Sequence, residues 1–157
     1  LEYIMLKVSF NVDKILKEWC KRNLGKIIAK DWYNPTSLEE LVEDRLNGDV
    51  FVYAHGSKNT IFNQEDTKLY YRAWHDTLHI KYNVGFNTDE ELLIAEKQYE
   101  ELIKLGVTPY DAYLVKLDLI LHIKHYYKYK VHPEYQGDLV ANYIMYGDKA
   151  LDRNYGY

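Results

Sequence analysis

The apolar positions of this chain fall into a series of helical stripes separated by short breaks. Val12, Ile15, Leu16, Trp19 and Cys20 recur at steps of three, four and seven. That spacing puts side chains on one face of an α-helix, which predicts a first helix from Asn11 that Gly25 ends. The apolar residues 1–10 before it read as a packing arm. After a break at Asn34-Pro35, Ser37-Leu-Glu-Glu40 has the form of a capping box. Leu38, Leu41, Val42 and Leu46 then predict a short second helix closed by Gly48. Residues 49–54 (DVFVYA) turn β-branched and aromatic, HGSKN reads as a turn and TIF as a return strand. A small β-hairpin over residues 50–63 is therefore the only β structure the pattern predicts.

The third helix begins near Glu65-Asp66, carries Leu69, Ala73, Trp74 and Leu78 on its apolar side and stops at Asn83-Val-Gly85. The fourth runs from Asn87-Thr88 to about Leu105 through Leu92, Ala95, Tyr99 and Leu102, with Gly106 as its stop. Thr108-Pro109, a cap followed by proline at the first helical position, opens a long fifth helix to about Lys130. His132-Pro133 breaks it, Glu134 to Tyr146 forms a last helix, and the tail from Gly147 is expected to be loose. The fold class expected is all-α, a mainly helical single domain over residues 1–157.

Composition narrows the function classes. With a net charge of −4, the chain offers no electrostatic case for nucleic acid or an anionic membrane. The longest apolar run, Leu114 to Ile123, is interrupted by Lys116, Asp118 and His122, so no membrane span is expected. One cysteine excludes an internal disulfide and fits a reducing, cytoplasmic setting. Its place on the first apolar stripe makes Cys20 a buried structural thiol. Seventeen tyrosines against four phenylalanines leave area for a protein partner or a homo-oligomer contact.

Chemistry concentrates in Arg72-Ala-Trp-His75-Asp76-Thr-Leu-His79, followed after eleven residues by Glu91. On a helix, His75 and His79 stand one turn apart on one face, with Arg72 and Asp76 on the same stripe. His75, Asp76, His79 and Glu91 can together offer two imidazoles and two carboxylates to one divalent ion. Zinc suits such donors best, and iron or manganese is also compatible. The zincin pattern places its histidines alike but uses a glutamate where Asp76 stands, and the shorter acid argues against a protease.

His-Asp-x-x-His, eleven residues, then Glu resembles the zinc-ligand motif of the coenzyme Q biosynthesis protein family. His75, Asp76, His79 and Glu91 match it in type and spacing. The segment YRAWHDTLHIKYNVGF, with the later HPEYQ, is also similar to small uncharacterised phage and bacterial proteins. The match covers about residues 70–105, with a weaker echo to about 146. It implies a helical fold and a bound divalent metal, and carries a quinone substrate over only faintly.

Plainer readings stand beside these. His75 and His79 also fit as core histidines hydrogen-bonded to Asp76 or a tyrosine. Glu91 also fits as the closing acid of a capping box, Thr88-Asp-Glu-Glu91. A second polar line, Asp111, Asp118, His122 and His125, runs down the fifth helix at steps of seven, four and three. It reads as a solvated stripe; if it faces the third helix instead, Asp118 or His122 can orient a metal-bound histidine or act as a base. Arg72 is placed to pair with Asp76 or with a substrate anion. An HD-type phosphohydrolase using His55, His75, Asp76 and Asp118 is a further alternative, although His55 falls in a turn. Two function classes follow: a metal-dependent enzyme acting on a small molecule, and a non-catalytic interaction protein with a structural metal or none.

Overall fold

The computed structural model of the protein describes residues 6–156. Six α-helices and a two-stranded sheet follow in the order α1 (Phe10–Asn23), β1 (Ile27–Lys30), α2 (Leu38–Asp44), β2 (Val50–Tyr53), α3 (Thr67–Tyr82), α4 (Thr88–Lys104), α5 (Pro109–Tyr129) and α6 (Gln136–Tyr146). A 3-10 turn over Gly147–Asp152 comes last. The mainly helical architecture agrees with the periodicity. None of these helices is long and apolar enough to cross a membrane.

One apolar cluster unites the elements. Val12, Leu16 and Cys20 of α1 meet Ala73, Trp74 and Leu78 of α3. Ile94, Ala95 and Leu102 of α4 meet Leu114, Val115 and Leu121 of α5. Cys20 is buried as expected, and burial pushes its thiol up to about 12, which leaves it a packing residue. Half of the first ten residues, 1–5, lie outside the described residues. Within the rest of that arm Val8 is buried and its N–H donates to Ile61 O at 2.9 Å.

The sheet corrects the sequence reading. β2 does not fold back through a hairpin over residues 50–63; it pairs in parallel with β1, Ile27 opposite Val50 and Lys30 opposite Tyr53. Parallel pairing needs a crossover, and α2 supplies it. The strands converge where Gly25 passes Gly48 so closely that a Cβ on Gly25 would lie 1.8 Å from the Gly48 carbonyl oxygen. Ile61 and Phe62, expected in a return strand, are instead core residues of a loop.

The tail also departs from expectation. Buried His125 donates from Nδ1 to Val131 O at 3.0 Å, and its Nε2 accepts from Tyr155 N at 2.9 Å. Tyr155 and Ala150 are buried, so the tail is anchored at these two positions while residues 152–154 stay exposed. The line Asp111, Asp118, His122 and His125 on α5 is not solvated: Asp111, bonded by Ser9, and Asp118 and His125 are buried, and His122 is half-buried.

Before α3 the chain is held by a buried acid on α1. Asp13 accepts from Gln64 N at 2.9 Å, from Asn63 N at 3.1 Å and from Thr67 Oγ1 at 2.5 Å. Asp66, the N-cap of α3, makes no capping bond with its own side chain, so Asp13 does the anchoring from outside the helix. Removing a buried carboxylate that serves several donors leaves each of them unpaired, at about 1–3 kcal/mol apiece before relaxation. Asp13→Ala is expected to destabilise the protein by about 3 kcal/mol or more, read as a lower urea midpoint, whereas Asp66→Ala should shift it by less than about 1 kcal/mol.

Candidate metal centre

α3 carries two of the three central side chains, and the turn that ends it orients one of them. Asn83 takes a left-handed conformation at φ 54°, and the chain reverses so that Val84 N donates to His79 O at 3.0 Å. The Val84 carbonyl, brought round by the same turn, accepts from His79 Nδ1 at 2.9 Å. A carbonyl only accepts, so Nδ1 carries the proton of the neutral ring and Nε2 is left as the lone-pair nitrogen. Gln98 on α4 does the same for the other ring, its Oε1 accepting from His75 Nδ1 at 2.8 Å and from Tyr71 OH at 2.8 Å.

The two Nε2 atoms therefore face each other, 3.1 Å apart. Glu91 closes the third side, with Oε1 2.9 Å from His79 Nε2 and Oε2 3.5 Å from His75 Nε2. Ligand atoms from His75, His79 and Glu91 all lie within 4.8 Å of one another, a group that can hold a metal ion. His79 is fully buried, while His75 and Glu91 keep a little exposure.

Glu91 is free for this because it is not the capping residue. The capping box that opens α4 joins Asn87 to Glu90, not Thr88 to Glu91. Asn87 Oδ1 accepts from Glu90 N at 2.8 Å, and Glu90 also accepts from Gly85 N at 2.6 Å. A Cβ on Gly85 would come within 2.9 Å of that carboxylate, so a residue without a side chain suits the turn.

The remaining site residues take different places. Asp76 is not one of the three clustered ligands. Burial raises its carboxyl above the ordinary range, with His75 and Arg45 pulling the other way. Arg45 reaches α3 from the end of α2, donating to Thr77 Oγ1 at 2.6 Å and to Ala73 O at 3.2 Å. Arg72 pairs with neither Asp76 nor another acid among the described residues. It donates to Tyr53 O at 2.7 Å, His55 O at 2.8 Å and Ser57 Oγ at 3.1 Å. His55 is exposed and bonded to Asp31 at 2.8 Å, away from the three ligands, so the four residues of an HD-type set are not gathered.

A cavity of about 710 Å³ opens beside the cluster and is bordered by His75, Asp76 and Glu91 on one side and by Asp118 and His122 on another. Burial raises the Asp118 carboxyl to about 7. Burial, with His132 beside it, lowers His122 to about 3. His122 Nε2 lies 2.8 Å from His132 Nδ1, and its Nδ1 lies 2.9 Å from Gln136 Nε2.

Gln98, Val84 and His132 were not singled out from the sequence. Gln98 alone left a signal there: it stands two turns after Glu91, a polar residue in line with Ile94, Ala95 and Leu102. The roles of Val84 and His132 depend on a backbone carbonyl and a loop, which residue type does not encode.

Without metal, the three groups share charge as an ion pair. Burial disfavours the His75 imidazolium, but the bond and charge of Glu91, helped by Asp76 and Gln98, outweigh it and raise the ring to about 9. Burial likewise opposes the Glu91 carboxylate, and the two histidines outweigh it, holding Glu91 at about 2. A raised imidazole contributes stability in full below its ordinary 6.5 and loses it as pH climbs through about 9. The Glu91 contribution is present above 4.5 and is lost as pH falls toward about 2. Thermal melts of chelator-treated protein should therefore show Tm falling between pH 6.5 and 9, and Glu91→Gln should flatten that slope.

Comparison with family models, with curated proteins and with solved structures finds no match to this chain.

Proposed function

We propose that the protein is a divalent-metal-dependent enzyme acting on a small molecule, with His75 Nε2, His79 Nε2 and Glu91 as the metal ligands. The observation that carries this reading is the pair of facing Nε2 atoms 3.1 Å apart, each ring having its Nδ1 bonded to an oxygen acceptor. Two lone pairs aimed at one point beside a carboxylate need a positive charge between them, and a divalent ion satisfies all three. Nitrogen and oxygen donors favour zinc, with iron or manganese as alternatives.

Three protein ligands, two of which (His75 and Glu91) border a cavity, favour a catalytic over a structural ion, since structural zinc is normally closed by four. A bound ion would supply Lewis acidity toward a water or substrate oxygen in that cavity. The chain's own residues do the rest. Val84 O and Gln98 hold the rings in the ligating tautomer. Asp76 places a second carboxylate at the cavity wall, and Asp118, raised to about 7 by burial, offers a proton acceptor across from it, while both nitrogens of His122 are taken up by Gln136 and His132. The likeness in spacing to the coenzyme Q biosynthesis family supports the same ligands and adds Asp76 as a fourth candidate.

The test is elemental analysis and zinc titration of untagged protein purified without added metal. About one equivalent of metal is expected, with Tm rising on reloading after chelation. His79→Ala should abolish stoichiometric binding, and Gln98→Leu, which spares all three ligands, should weaken zinc about 10- to 100-fold. Stoichiometric metal retained by His79→Ala would refute the ligand set.

A further inference from the structure

The cavity beside the three ligands is also bordered by cations. Lys68 and Arg72 of α3 and Lys130 at the end of α5 all border it. Among the described residues none of the three lies within ion-pair distance of a carboxylate. Their partners are neutral. Arg72 uses three of its five N–H groups on two carbonyls and a hydroxyl, Lys68 Nζ donates to Gly56 O at 3.0 Å, and Lys130 Nζ lies 4.7 Å from the centre of the Tyr127 ring.

A guanidinium partly removed from water without a counterion is costly, because neutral acceptors replace only part of its hydration. Burial is the strongest influence on Arg72 and works against its charge; Tyr53, whose ring lies under the guanidinium at 5.8 Å, favours the charge, as do Asp76 and Glu134, neither of which is within ion-pair distance. His132 adds a donor. Gln136 Nε2 donates to His122 Nδ1, so His122 Nε2 carries the proton it gives to His132 Nδ1, and His132 keeps its own N–H on Nε2.

Lys68, Arg72 and His75 follow one face of α3 at steps of four and three. At a helical rise of about 1.5 Å per residue, Arg72 stands about 4.5 Å and Lys68 about 10.5 Å along the axis from His75. The two cations of α3 thus lie toward its start and the two imidazoles toward its close. Tyr33, Tyr53, Phe62, Phe86 and Tyr126 border the same cavity and give it several flat apolar walls.

We propose that this cavity binds a phosphomonoester with a planar, largely apolar body, the phosphate held by Arg72, Lys68 and Lys130 and the body lying among the aromatic side chains toward His75 and Glu91. Three separate cations exceed what one carboxylate can use and suit a dianion with three terminal oxygens. The placement of the body rests on the metal-site reading; the phosphate end stands on the three cations alone.

Calorimetric titration with phenyl phosphate, phenol and inorganic phosphate tests this on zinc-loaded and on chelator-treated protein. Phenyl phosphate is expected to bind one-to-one in both preparations, at least about tenfold more tightly than phenol, since charge-assisted bonds are worth that much. Arg72→Gln risks loosening the loop it holds, so the exposed Lys130 and the half-buried Lys68 are the informative positions. Lys130→Gln and Lys68→Gln should each weaken phenyl phosphate about tenfold, and Lys104→Gln, on the outer side of α4, should leave it unchanged. Weakening by the two cavity variants in chelator-treated protein upholds the proposal even if the chain retains no metal. No binding, phenol binding as tightly as phenyl phosphate, or binding confined to the zinc-loaded protein and indifferent to both lysines would overturn it.

Discussion

The carboxylate of Asp13 fixes where α3 begins, and the left-handed turn at Asn83 fixes where it ends. Between these two constraints the helix has little freedom to slide or rotate, because its Ala73, Trp74 and Leu78 side is locked into the core. Its other side must then present Lys68, Arg72, His75 and Asp76 to the cavity. A displacement of one residue along the axis would turn the helix by about 100° and carry both imidazoles away from Glu91. The site is thus a consequence of how one helix is pinned, and the pin at its start lies on a different helix, α1.

Glu90 and Glu91 divide two jobs that their sequence leaves interchangeable. Either acid, three residues after a capping-type residue, satisfies the capping pattern. The structure resolves the choice through Gly85: the turn after α3 presents an N–H to Glu90, which makes Asn87 the cap and sends Glu90 backward. The next residue is rotated about 100° round the helix, and this turns Glu91 from the loop toward His75 and His79. One position of cap register therefore decides whether the centre has a carboxylate.

The helices were legible because their apolar stripes are long and their ends are marked by Asn83, Gly106, Thr108-Pro109 and His132-Pro133. The histidine pair and Glu91 were legible because i,i+4 spacing on a helix is itself a statement of geometry. β1 was not: Ile27–Lys30 is four residues long, and its burial runs from half-buried to exposed without alternation. Residues 50–53 read correctly as a strand, yet a strand does not name its partner, and the close passage of Gly25 and Gly48 that permits parallel pairing is a tertiary event. The polar line on α5 carried the opposite difficulty. Its periodicity describes a face, but only the packing of α4 and α6 shows that the face is buried, that Asp118 meets a cavity and that His125 holds the tail.

What supports a metal over a plain buried ion pair is the direction of the hydrogen bonds more than the identity of the residues. An ion pair between one histidine and Glu91 needs a single ring turned toward the acid. Here both rings have Nδ1 committed to oxygen acceptors, one of them a backbone carbonyl that cannot donate, so both are held with Nε2 inward. For two imidazoles to meet in this way around a proton alone, one ring must be charged; burial opposes that charge, and Glu91, Asp76 and Gln98 have to outweigh it. A divalent cation would accept both lone pairs at once, offset the charge of Glu91 and leave the oxygen acceptors as the groups that strengthen the ligands. With an ion bound at the three ligands, the cavity would have one positive centre there and another at Arg72 and Lys68 of α3, with the carboxylates of Asp76 and Asp118 also at its walls. Such a charge pattern is poorly suited to packing and well suited to holding an anionic molecule in a fixed direction.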